Sequence, residues 1–163
     1  MQLANATALI LALGISACAH SPRPYSFAVN RSSNELDVIA RTLEADGLKP
    51  TKIDREAGMV TSPWFDTGYR FREIDDFREL DYETSIFLRY HISLRREGGK
   101  DAVLLATDVQ RCAPADSYVT PAGVVGSCQP MRTIFPTQQK QVNALGEKLR
   151  GALAASEGSS ARM

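Results

Sequence analysis

The clearest pattern in the chain is the alternation over residues 84–96, TSIFLRYHISLRR. Ile86, Leu88, Tyr90, Ile92 and Leu94 fall on one side of an extended strand. Arg89, His91, Ser93 and Arg95 fall on the other, with Phe87 breaking the rule. A period of two sets one face on a core and leaves the other wet, as in an antiparallel sheet covered on one side. EGGKD (97–101) then reads as a turn, and AVLLATDVQRC (102–112) returns as the partner strand. Upstream, LKPTKIDREAGMVTSPWF (48–65) predicts a hairpin turning near Glu56-Ala57-Gly58, with Pro50 and Pro63 at strand ends. YSFAVN (25–30) and MRTIF (131–135) read as short strands.

Two segments carry the helical period instead. Leu36, Ile39, Ala40 and Leu43 share one face, spaced three to four apart. Ser32 stands as the expected N-cap, with Glu35 three residues on to complete a capping box. Gly47 is the expected C′ residue, with Leu48 packing back on Leu43. A second helix opens at Pro136 and Thr137, with Thr137 as N-cap and Val142, Leu145, Leu149 and Leu153 as its stripe. The order is β-α-β-β-β-β-β-α. Two stripes and one apolar sheet face predict an α+β two-layer sandwich. Its antiparallel sheet has about five or six strands, with both helices on one face. DTGYRFREIDDFRELDYE (66–83), dense in both charge signs, reads as a hairpin extension or an exposed loop.

The first 20 residues follow neither pattern. From Ala6 to Ala17 the chain is almost entirely apolar or small, and its first charged side chain is Arg23. The run is shorter than the ~20 residues of a membrane-spanning helix. It matches the apolar region of a secretory signal, with the start amine as its positive charge. It stops at GISAC (14–18), where Ile15-Ser16-Ala17-Cys18 resembles the lipobox of bacterial lipoproteins. That resemblance implies a diacylglycerol on the Cys18 sulfur and cleavage before it. Acyl burial is worth roughly 0.8 kcal/mol per CH₂, so two or more chains hold a protein on a membrane. The expected organisation is a signal peptide over 1–17, a lipid anchor and short tether over 18–24, one domain over 25–155, and a disordered tail over 156–163. Ala19, rather than aspartate, after the cysteine favours sorting to the outer membrane, with the domain facing the periplasm.

Export changes the reading of the remaining cysteines. Cys112 and Cys128 form an even pair in an oxidising compartment, where a disulfide is expected. The rival, a metal or redox pair, has a spacing far from Cys-x-x-Cys and only His20 and His91 to assist it. No metal and no cofactor is expected.

Composition narrows function mainly by exclusion. The chain has 163 residues, enough for one domain, and 44% of them are hydrophobic. Lys+Arg and Asp+Glu balance at 19 each, which argues against nucleic acid as a partner. There is no phosphate loop, no dinucleotide fingerprint, no HExxH and no GxSxG. His91 reads as a solvent-facing strand histidine. Asp75, Asp76, Glu79, Asp81 and Glu83 are interleaved with Arg70, Arg72 and Arg78, which reads as a solvated mixed-charge surface rather than a pair of catalytic acids. Trp64, Phe65, Tyr69 and Phe71 concentrate the aromatic residues. Trp64 is assigned to the core, while Tyr69 and Phe71 divide evenly between core and surface. Tyr69, Arg70, Phe71 and Arg72 are the candidate partner-binding residues.

ELDVIARTLEADGLKPTKIDREAGMVTSPW (35–64) resembles a pattern in periplasmic lipoproteins with BamC-like domains, through Asp54, Gly58, Thr61 and Trp64. The resemblance implies a helix-on-sheet domain used for protein contacts at the outer membrane. The expected function is therefore a membrane-anchored, non-enzymatic domain that binds an envelope protein. The alternative is a carrier of a small hydrophobic ligand or lipid, held between sheet and helix.

Overall fold

The computed structural model describes residues 19–30, 34–75, 80–113, 119–120, 123–124 and 128–160. Ser32, Cys18 and the signal-like run lie outside them. The described chain runs β1 (Tyr25–Ala28), α1 (Glu35–Ala45), β2 (Lys52–Asp54), β3 (Met59–Thr61), β4 (Phe65–Asp75), β5 (Leu80–Glu97), β6 (Lys100–Cys112), β7 (Val119–Thr120), β8 (Gly123–Val124), β9 (Cys128–Met131) and α2 (Pro136–Ser160). The fold is α+β. Its main antiparallel sheet has seven strands in the order β1-β6-β5-β3-β2, with β4 also on β5 and β9 also on β6. The short β7 and β8 pair only with each other.

The long β5–β6 hairpin organises the sheet. Gly98 and Gly99 both have positive φ, 57° and 81°, so the two-residue turn has the twist that a tight hairpin needs. It fixes the register from Glu97↔Lys100 to Ser85↔Cys112. The alternation of β5 then sorts as expected. Ile86, Leu88, Tyr90 and Ile92 are buried, and Val103, Leu105 and Val109 of β6 join them. Leu36, Val38, Ile39 and Leu43 of α1, and Val142, Leu145, Leu149 and Leu153 of α2, complete the same apolar cluster. Each fully buried side chain of this size contributes roughly 1.5–3 kcal/mol relative to exposure.

α1 ends as its sequence predicts. Leu48 N–H donates to Leu43 O and Gly47 N–H to Glu44 O, both at 2.9 Å, with Gly47 at φ 76°. These are the two bonds of a Schellman motif, and Leu48 packs on the core beside them. The start differs. The helix begins at Glu35, so the N-cap position is Asn34 rather than Ser32. The acids Glu35 and Asp37 still stand in the first turn, where the helix dipole favours them.

Of the two alternatives for 66–83 the hairpin extension holds: β4 and β5 pair from Phe65↔Leu88 to Asp75↔Leu80, with an irregularity between Asp66 and Arg70. Arg72 stands opposite Glu83, so one pair of unlike charges faces across the two strands. Three further boundaries depart from expectation. The strand expected over 131–135 lies earlier, at Cys128–Met131, because Cys128 stands opposite Cys112 and sets its register on β6. Thr137 is the second residue of α2, not its cap. Pro136 occupies the first position, where its missing N–H costs nothing, and Phe135 O accepts from Gln139 N–H at 3.1 Å. The expected tail from residue 156 continues α2 to Ser160. The Glu157 carboxylate explains this, accepting from the Asn30 backbone N–H at 3.0 Å and its side-chain amide at 2.9 Å.

The expected tether is also largely taken up by the fold. His20 and Ile134 exchange backbone hydrogen bonds. Arg23 N–H donates to Gln139 Oε1 at 2.9 Å, and Gln139 Nε2 donates to Arg23 O at 3.0 Å. The glutamine amide thus acts as one more strand-like partner for a proline-flanked extended segment. Among the described residues no helix is long and apolar enough to cross a membrane.

Candidate functional site on the open sheet face

Both helices cover one face of the sheet, so the other face presents the polar side chains of β5 and their neighbours. Register decides which of them meet. Thr61 of β3 is paired with His91, and Asp108 of β6 with Arg89. The Arg89 guanidinium donates to Asp108 Oδ2 from Nη2 at 2.6 Å and from Nε at 3.2 Å. His91 Nε2 stands 2.8 Å from the same oxygen, and His91 Nδ1 stands 3.5 Å from Thr61 Oγ1. On its other side the Arg89 guanidinium lies over the Trp64 ring, 4.6 Å from the centroid. Beside this pair is a groove of about 330 Å³ whose walls include Trp64, Arg89, Gln110, Pro130 and Met131.

Trp64 is therefore not the core residue expected from its composition. It lies against Arg89 on the polar face, because Ser62 and Pro63 separate it from β3. Ser62 N–H donates to Tyr90 O, and Ser62 Oγ accepts from Tyr90 N–H. This closes the local backbone onto β5 and leaves Trp64 half-buried beside a cation.

Hydroxyl, imidazole and carboxylate stand in line here, an order that catalytic triads share. The details point elsewhere. Thr61 is only 8% exposed, its contact with the imidazole is at the long limit, and the Asp108 carboxylate is committed to Arg89. What the arrangement does is brace Arg89, and through it Trp64, in one position. Burial pushes the Asp108 carboxyl up, but the hydrogen bonds from Arg89 and His91 outweigh that and hold it below its ordinary value.

The sign of the linkage follows from that lowered value. Asp108 contributes its stability above the unfolded carboxyl value of about 4, and loses it as pH falls through the lower folded value. The Asp108 side chain is 46% exposed, so solvent screening limits the contribution to about 1 kcal/mol or less. Asp108→Asn should lower the urea midpoint near neutral pH, and the gap from the wild type should close below the folded carboxyl value. Trp64 is the single tryptophan, so its fluorescence should report the loosened Arg89 at neutral pH. A gap that widened on acidification would refute this reading of Asp108.

The sequence-derived candidates divide. Cys112 and Cys128 form a disulfide, at opposed positions on β6 and β9. Tyr69 and Phe71 turn toward the covered side. Tyr69 stacks on Phe135 with centroids 5.0 Å apart, Phe71 lies 6.1 Å from the same ring, and both pack on the core. They do not form an outward aromatic patch with Arg70 and Arg72, which are exposed. Arg70 is engaged by Asp66, and that hydrogen bond is the main reason the Asp66 carboxyl sits below its ordinary value. Among the described residues no group of three or more His, Cys, Asp and Glu could hold a metal ion.

Sequence reasoning missed Asp108. A signal existed: once Gly98-Gly99 is taken as a two-residue turn, counting back along β5 and forward along β6 sets Asp108 opposite Arg89. No protein-family model matches the chain, and no curated protein matches it.

Proposed function

We propose that this chain is an acylated envelope protein, anchored through Cys18 and facing the periplasm, most naturally at the outer membrane. In this reading its domain is non-enzymatic and binds a protein partner through the open sheet face. The observation that supports it best is the braced Trp64–Arg89 pair beside the groove at Pro130 and Met131. Tryptophan and arginine are the residue types that dominate binding energy at protein interfaces, and a partner gains most where such anchors are already held in place. The Asp108 bond to Arg89 supplies that preorganisation. Arg70 and Arg72 extend a charged rim along β4.

The test is capture from solubilised envelope by the acylated protein, with Trp64→Ala in parallel. The expected result is one stoichiometric protein retained by the wild type, with affinity weakened roughly tenfold or more in the variant. Equal capture by a folded Trp64→Ala protein would remove the open face from the proposal.

A second reading has its own supporting observation. A pocket of about 350 Å³ opens between the helices and β4, with Leu48, Phe65, Tyr90 and Leu145 among its walls. This is at the small end of ligand sites, which run from about 300 to 1,000 Å³. A carrier role would be supported by a hydrophobic molecule extracted in stoichiometric amount from purified protein, and abandoned if extracts are empty.

A further inference from the structure

The hydrogen bonds that take up the tether have a consequence for how the molecule sits on a membrane. His20 is fixed by 3.0 and 2.7 Å backbone bonds to Ile134, and Arg23 by its exchange with Gln139. Cys18 is two residues before His20 in the chain. Two residues reach at most roughly 7 Å even when fully extended. A lipid on Cys18 therefore leaves the domain no slack with which to stand away from the bilayer or tumble freely above it.

We propose that the anchored domain rests directly on the lipid surface. The contact is the surface around His20 and Ile134, with the end of β9 and the first turn of α2. This rests on the acylation of Cys18 proposed above. The occupant is a bilayer with anionic headgroups, and the charges around His20 fit it. Arg23, Arg132 and Lys140 are all exposed, and no ion pair engages their side chains among the described residues. Arg23 adjoins Gln139 through its backbone, Lys140 follows Gln139 in α2, and Arg132 lies two residues before Ile134. Each cation held near an anionic surface favours binding by roughly fivefold. Away from this surface, the Gly98–Gly99 turn presents both signs through Glu97, Lys100 and Asp101.

The test compares two lysines in one molecule. The full chain, expressed in bacteria that acylate lipoproteins, is reconstituted into vesicles of phosphatidylethanolamine with a minority of phosphatidylglycerol. It is then labelled with a membrane-impermeant lysine-acylating reagent. A matched variant carries a long Gly-Ser insertion between Ala19 and His20. Lys140 should react several-fold more slowly in the parent than in the insertion variant, while Lys100 reacts equally in both. High salt should narrow the difference, since screening shortens the electrostatic reach. If intact mass shows the acyl groups, yet Lys140 reacts at the same rate with and without the insertion, direct docking is overturned and the anchor stands. If intact mass shows no acyl group on Cys18, the anchor reading fails and the docking inference fails with it.

Discussion

Replacing Cys112 and Cys128 together with serine is expected to remove about 3 kcal/mol of stability. The bridge closes a sequence separation of 16 residues, and in the chain-entropy model a loop of this length is worth about that much. For a chain of this size the midpoint of thermal unfolding should fall by roughly 6–12 °C. The physical locus is β9. That strand holds β6 through four registered positions, from Val109↔Met131 to Cys112↔Cys128, and Met131 packs against the core. Without the covalent link, the backbone amides of position 128, now serine, and of Gln129 and Met131 should exchange with solvent well before those in the centre of β5 and β6. An unfolding midpoint that does not move when the bridge is reduced would show that β9 is held by packing alone.

Gly146→Ala should destabilise the protein by about 2 kcal/mol, against the direction that helix propensity gives. Alanine is the better helix former by roughly 1 kcal/mol. At Gly146, however, an added Cβ would lie 2.3–2.7 Å from the Cδ1, Cγ and Cε1 atoms of the Tyr25 ring. The ring cannot retreat cheaply, because β1 is registered on β6 through Tyr25↔Leu105 and the Tyr25 hydroxyl bonds to Glu147. α2 can approach β1 so closely only because the residue facing the ring lacks a side chain. Gly151 is the internal control. It lies in the same helix with nothing within 4 Å of an added Cβ, so Gly151→Ala should stabilise by about 0.5–1 kcal/mol. Chemical denaturation of the two variants decides the matter. Stabilisation by both would mean that the Tyr25 contact is soft.

The contrast between these two glycines marks where sequence reading ended. Both sit in the same apolar-striped segment, and nothing local distinguishes them. The same holds for Trp64, which composition sent to the core and the backbone after β3 sent to the open face. Asp108 sat unnoticed in a strand whose alternation is poor, and it became the hub of the polar cluster only because the turn at Gly98-Gly99 sets it opposite Arg89. By contrast, the Schellman end of α1, the sidedness of β5 and the apolar stripe of α2 were all readable before any fold was known. Each rests on contacts among neighbours within a few positions of one another, at spacings dictated by covalent geometry.

The amino-acid sequence by itself determined the α+β class and which face of each long element is apolar. These follow from the periods of helix and strand. The tertiary structure alone decided that Thr61, His91, Asp108, Arg89 and Trp64 share one surface, that Tyr69 and Phe71 turn inward onto Phe135, and that the segment from His20 is strapped to α2. Such meetings depend on strand register and on how closely a helix can approach a strand. Both are set by packing among residues far apart in the chain, where no local period reaches.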